Sequence, residues 1–200
     1  MSKTTFWQIV FIIAVLLVGT YVYKTGRVIE KGGGDTGLLY TNNDFGFSLK
    51  YPDTLDIKEY LPGVISIGAA DGEAFASVLD LVLVEDNELS LNEAVARAAQ
   101  NSCAADGPSL SLSCPGEMRN KAPFTTESGL LGEMFYLDLV QTNVAKGTST
   151  TSQRGPFVVV YLGENVSGPA LLLYPALVLG GEGADEPLIV GVGRSVMIVR

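Results

Sequence analysis

The sequence predicts an α+β domain, an antiparallel sheet with helix lying on it, carried behind one N-terminal transmembrane helix. Three observations lead there. The chain opens with no charged residue between Lys3 and Lys24. Past residue 37, several stretches alternate apolar and polar side chains with the period of two that a half-buried strand requires. From residue 90 to about residue 101 the apolar period changes to that of an amphipathic helix.

After a tail at residues 1–5, FWQIVFIIAVLLVGTYVY at 6–23 is the membrane segment. The uncharged run of 20 residues would rise about 30 Å as a helix, matching a hydrocarbon core of similar thickness. Ile9, Phe11, Ile12, Leu16 and Leu17 would face lipid, with Phe6, Trp7, Tyr21 and Tyr23 at the headgroups. A cleaved signal peptide needs small residues before its cut, and Val18, Gly19 and Thr20 are a poor match. Residues 24–37, ending in KGGGDTG, read as a glycine-rich linker, and residues 38–200 as one globular domain.

Charge and cysteine give opposite orientations for that domain. Lys3 precedes the helix while Lys24, Arg27 and Lys31 follow it, which favours a cytoplasmic domain under the positive-inside rule. Cys103 and Cys114 are the only cysteines, with ten residues between them in a loop of small residues. Their spacing suits a disulfide, and disulfides persist in oxidising compartments. Two reduced thiols remain the other reading of the pair. Weighing both, the sequence places the domain outside the cytoplasm, single-pass in a cell membrane.

Within the domain, Phe45, Phe47 and Leu49 alternate with Gly46, Ser48 and Lys50, and Pro52 ends that strand. VISIGA (64–69) and FASVLDLVLVED (75–86) form a hairpin around the Asp-Gly turn of ADGE (70–73). Ser90 and Glu93 form an S-x-x-E capping box, with Leu91, Ala94, Val95 and Ala98 on one helical face behind it. APFTTES (122–128), GEMFYLDLVQT (132–142) and PFVVVYL (156–162) are strands. NVAKGTSTTSQRG (143–155) has no apolar period and is expected as an exposed hairpin loop. ALLLYPALVL (170–179) is ambiguous between a strand broken at Pro175 and a helix start. Asp185 and Pro187 then start a short helix over LIVGVGRS, weakened by Gly191 and Gly193, before a terminal strand VMIVR.

Tyr40, Thr41, Asn42, Phe45, Gly46, Phe47, Tyr51 and Pro52 resemble the opening of the PsbP-like family, named after an extrinsic subunit of photosystem II. The resemblance implies an antiparallel sheet covered by helices, an αβα sandwich, over residues 38–200. A bulky tryptophan expected soon after Tyr-Pro is missing, with Leu55 in that region. The family is a poor guide to activity. Its photosynthetic members are lumenal assembly or oxygen-evolution factors, while many bacterial members are anchored or secreted proteins without assigned function.

Chemistry is sparsely encoded. The chain has no histidine, which removes Ser-His-Asp and Cys-His catalysis and most transition-metal sites. GVGRS at 191–195 is a weak nucleotide signal, better explained by close packing of helix on sheet. Glu133 and Asp138 are oddly spaced for paired carboxylate catalysis. EDNE (85–88) and GGEGADE (180–186) offer oxygen ligands for calcium, but neither has EF-hand spacing, so no cofactor is assigned. Residues 36–200 carry 20 acids against 9 bases, so nucleic acid is not an expected partner. The expected partners are the bilayer, through the N-terminal segment, and another envelope protein. The reading is a membrane-tethered extracytoplasmic binding or assembly module without catalysis. A small-molecule or metal-sensing domain is the alternative, with a hydrolase ranked last.

Overall fold

A computed structural model describes residues 30–31, 37–72, 74–85, 90–163, 168–177 and 185–199. The strands are β1 (Glu30–Lys31), β2 (Gly37–Asn42), β3 (Phe47–Pro52), β4 (Asp56–Leu61), β5 (Val64–Asp71) and β6 (Ala74–Val84). After helix α1 (Leu91–Asn101) come β7 (Ala105–Asp106), β8 (Leu110–Ser113), β9 (Arg119–Thr125), β10 (Leu131–Asn143), β11 (Thr148–Tyr161) and β12 (Ala170–Pro175). Helix α2 (Glu186–Arg194) and β13 (Met197–Ile198) complete the described chain.

These strands form two antiparallel sheets. Nine belong to the larger, in the order β4-β5-β6-β12-β11-β10-β8-β7, with β9 also on β10. The smaller has the order β1-β2-β3-β13. The central strands of the large sheet are buried on both faces. Val158, Val160, Leu171, Leu173, Ile65 and Leu81 meet Tyr40, Phe47, Leu49 and Tyr51 of the small sheet, with Ile189 and Val192 of α2. Phe135, Leu137, Phe157, Val159 and Leu172 instead meet Leu91, Val95 and Ala99 of α1.

The αβα sandwich expected from the sequence is therefore corrected to a mostly β architecture: a curled antiparallel sheet with, among the described residues, two short helices of 11 and 9 residues. One face is closed largely by the small sheet, whose strand β2 (Gly37–Asn42) was not read as a strand from the sequence. No helix among the described residues is long and apolar enough to cross a membrane. The span expected at residues 6–23, with Trp7, Ile9, Phe11, Ile12, Leu16, Leu17, Tyr21 and Tyr23, lies outside the described residues, as do residues 24–29 and 32–36 of the linker.

The loop expected at 143–155 is also corrected. Only residues 144–147 turn, and Thr148–Gln153 are paired with Asp138–Asn143 of β10. Both faces of that stretch are exposed, so burial imposes no alternation on its sequence, while threonine is well suited to a strand. Asp56–Leu61 was missed for a related reason: an edge strand carrying Asp56, Lys58 and Glu59 has no clean apolar period.

Helix α1 runs over the expected residues. The Glu93 carboxylate accepts from the Ser90 hydroxyl (2.7 Å) and backbone N–H (3.1 Å). These bonds, the hydroxyl's first, hold the Glu93 carboxyl below the usual carboxylate range. Cys103 and Cys114 form a disulfide (S–S 2.06 Å) that ties the end of α1 to the strand end of β8. At α2, Asp185 caps the helix by accepting from the Leu188 N–H at 3.0 Å, as its sequence position suggests.

Candidate interaction surfaces

Three places bring functional side chains together. A cleft of about 460 Å³ opens between β3 and α2. Tyr51, Pro52, Pro187, Leu188 and Val192 give it apolar walls, while Lys50 and Glu127 stand exposed at its rim. Ser195 lies beneath, fixed in a structural role. Its Oγ accepts from the Lys50 N–H at 2.8 Å and lies 2.7 Å from the Val192 carbonyl, to which it donates. Thus Ser195 closes the edge of β3 just where the two-residue pairing with β13 has ended.

Gly191 and Gly193 divide the labour on α2. A Cβ on Gly193 would come within 3.0 Å of Val158 Cγ1 and 3.2 Å of Phe124 Cζ. Close packing of helix on sheet explains that glycine, as expected from the sequence. A Cβ on Gly191 would meet nothing within 4 Å among the described residues. Gly191 is exposed and lines the cleft, and a mid-helix glycine costs about 1 kcal/mol relative to alanine. No contact among the described residues offsets that cost.

On the opposite face, a smaller cleft of about 360 Å³ lies beside α1, lined by Asn92, Ala96, Gln100, Met118, Lys121 and Leu137 among others. Its Glu93 is already engaged in capping Ser90, and Gln100 donates to the Gly116 carbonyl at 3.0 Å. Gln100 thereby ties the end of α1 to the segment just past Cys114.

The third place is a polar cluster let into the apolar α1 face. Asp80 sits opposite Ser66 on β5 and Tyr174 on β12, and accepts from Ser66 and Ser77 hydroxyls. Tyr174 stacks on Phe157, which stacks on Phe135 at 5.3 Å between ring centres. Buried Arg154 donates through Nη2 to the Pro175 carbonyl, and its Nε has no hydrogen-bond partner among the described residues. Burial lowers the Arg154 pKa, opposed by Tyr174 and Asp80. Burial, then Asp80, pushes Tyr174 up to about 12, against the pull of Arg154. The sequence offered one clue to this cluster: Asp80 interrupts the apolar run SVLDLVLV.

The remaining sequence candidates divide cleanly. Tyr40, Phe47 and Tyr51 are core, Phe45 and Gly46 form the turn between β2 and β3, and Pro52 ends β3 beside the cleft. Glu133 and Asp138 have separate partners, Lys121 at 3.7 Å and Arg119 at 2.6 Å, so they form no shared acid–base site. The calcium readings at 85–88 and 180–186 fall largely outside the described residues. Among the described residues, no group of three or more Asp, Glu or Cys is placed to hold a metal ion. Lys50, Glu127, Leu188 and the open side of Gly191 were not singled out from sequence, because the cleft exists only once β3 and α2 meet.

No family model matches the chain, and no curated protein does. Among solved structures, the chain is similar to the solution structure of cyanobacterial PsbP (CyanoP) from Synechocystis sp. PCC 6803. The similarity covers 84% of this chain and 97% of that one, at 13% identity and a TM-score of 0.44.

Proposed function

We propose that this chain is a membrane-tethered, extracytoplasmic, non-catalytic PsbP-like domain that binds another envelope protein through the cleft between β3 and α2. The observation that carries the reading is Gly191: a helical glycine with open space above it, facing a cleft with apolar walls and one charge of each sign at the rim. Such a floor admits close approach of a partner's backbone or side chain. The uncharged run at residues 6–23 supplies the tether, and the family reading rests on the Tyr40 to Pro52 motif. The Cys103–Cys114 bridge supports an oxidising compartment. Protease digestion of intact spheroplasts, with thiols counted before and after reduction, tests that placement.

A small organic ligand is the second reading, favoured by a volume within the range of ligand pockets. One experiment separates the two. A photo-crosslinking residue is placed at Leu188 in the full chain, with Asp71 as a distant control, and activated in native membranes. A protein adduct formed from 188, absent from 71 and lost in Gly191→Phe supports the binding module. Absence of an adduct, with cleft occupancy by a co-purified small molecule, favours the second reading. An empty cleft and no adduct would retire both.

A further inference from the structure

The free edges of the large sheet differ in how they are protected. Edge β4 carries Asp56, Lys58 and Glu59 and a register shift between Glu59 and Leu61. Edge β9 carries Arg119, Lys121 and Pro123, and edge β7 has only two residues. Charge, proline, bulges and brevity are the usual means of keeping an edge from pairing with another chain. Thr148–Gln153, at the start of β11, has none of them. It pairs with β10 on one side, but β12 reaches only Val158–Tyr161 on the other. Thr148–Gln153 is therefore an exposed, uncharged, proline-free edge of six residues without a strand partner among the described residues.

We propose that two copies of this chain pair antiparallel along Thr148–Gln153, joining their large sheets across a two-fold axis. Three features fit a second copy. Every residue from Thr148 to Ser152 is serine or threonine, so opposed positions in that stretch match hydroxyl with hydroxyl, a favourable cross-strand pairing. Opposed residues in an antiparallel ladder both direct, or both withdraw, their backbone groups, so a residue lies on the axis rather than a gap. With Thr150 there, Ser149 faces Thr151 and Thr148 faces Ser152. With Thr151 there, Thr150 faces Ser152.

Charge is the third feature. The chain carries a net −9, which opposes contact between copies over most of its surface. Residues 139–163 contain no acid and carry Lys146 and Arg154. Two copies meeting here bring no carboxylates from this stretch against one another. The ladder itself is already formed, with Thr142 and Ser149 hydroxyls 2.9 Å apart across it. Edge pairing alone buries less than a standard interface, so the dimer dissociates on dilution.

The test uses the full chain in mild detergent, sedimented from about 10 µM to about 1 mM, a span over which a weak dimer changes population. Wild type is expected to shift from monomer to dimer. The double variant Thr150→Lys, Thr151→Lys is expected to weaken the dimer by roughly tenfold or more, since it supplies the charge other edges carry. Oxidation of Thr150→Cys or Thr151→Cys chains in native membranes should give a disulfide-linked dimer, with Asp71→Cys as the negative control. A wild type that stays monomeric throughout, or a lysine variant that dimerises equally well, overturns the pairing. This edge is separate from the cleft, so a monomer that still forms the Leu188 adduct retires the pairing alone.

Discussion

On the face of the large sheet that meets β2, β3 and α2, the main buried side chains are aliphatic or aromatic, from Phe47 and Leu49 to Ile65, Leu81 and Leu171. The face that meets α1 has its own apolar centre around Phe135 and Phe157, but two further devices accompany it. A disulfide fastens α1 to β8, and the Asp80–Tyr174–Arg154 cluster occupies the sheet beside the stacked rings. A second sheet can cover a broad face, whereas an 11-residue helix presents only Leu91, Val95 and Ala99 as buried residues. The difference teaches that the smaller cover is reinforced by covalent and polar constraints.

The sharpest way to test that contrast is to remove volume from the apolar centre of the face that carries no disulfide. Phe47 is fully buried between the two sheets. Phe47→Ala should destabilise the domain by about 3–5 kcal/mol, the usual loss for a buried aromatic with the cavity it leaves. Urea denaturation measures this directly. A loss below about 1 kcal/mol would mean that the small sheet is not part of the core.

On the other face, the disulfide should carry the next largest effect. Closing a loop of this size contributes about 3 kcal/mol in the chain-entropy model. Paired Cys103→Ala and Cys114→Ala substitutions should lower stability by that order, with amide exchange rising first in α1 and β8. Equal deprotection of β2 and β3 would show that the two faces do not differ in what holds them.

Tyr174 gives the polar cluster a signature in pH. Its folded pKa of about 12 exceeds the ordinary tyrosine value of 10.0, so folding favours the neutral phenol. The stabilisation is complete below pH 10 and is lost as pH rises through about 12. Its full size is roughly 2–3 kcal/mol. Ultraviolet titration should show a late-ionising tyrosine that disappears in Tyr174→Phe. Tyr174→Phe should also flatten the fall in stability between those pH values, and an unchanged profile would assign the late phase elsewhere.

What was legible in the sequence follows the same division. Burial on one face writes a period, so Phe47–Leu49, α1 and the hairpin at Asp71 and Gly72 could be read. Capping writes local chemistry, so Ser90, Glu93 and Asp185 could be read too. Thr148–Gln153 and Asp56–Lys58 are held by backbone pairing with little one-sided burial, and left no period to find. Expecting helices on both faces failed because the small sheet is assembled from β2, β3 and β13, whose pairing joins residues 37–52 to residues 197–198. The cleft is non-local for the same reason. Tyr51 and Pro52 were noticed as a motif, but Lys50, Glu127 and Leu188 acquire their meaning only from tertiary contact.

The smallest effect is also the most informative about the cleft. Gly193→Ala should destabilise, because the added methyl would crowd Val158 and Phe124 at 3.0 and 3.2 Å. Gly191→Ala should do the reverse and raise stability by up to about 1 kcal/mol, since alanine favours the helix and its methyl meets nothing. Thermal unfolding of the two single variants reads the opposite signs. If Gly191→Ala stabilises the chain yet weakens the Leu188 crosslink, glycine at 191 serves the cleft's occupant at the expense of the helix. Were stability to rise with the crosslink intact, an occupant would have no need of the missing methyl, and the cleft would lose the observation on which its assignment stands.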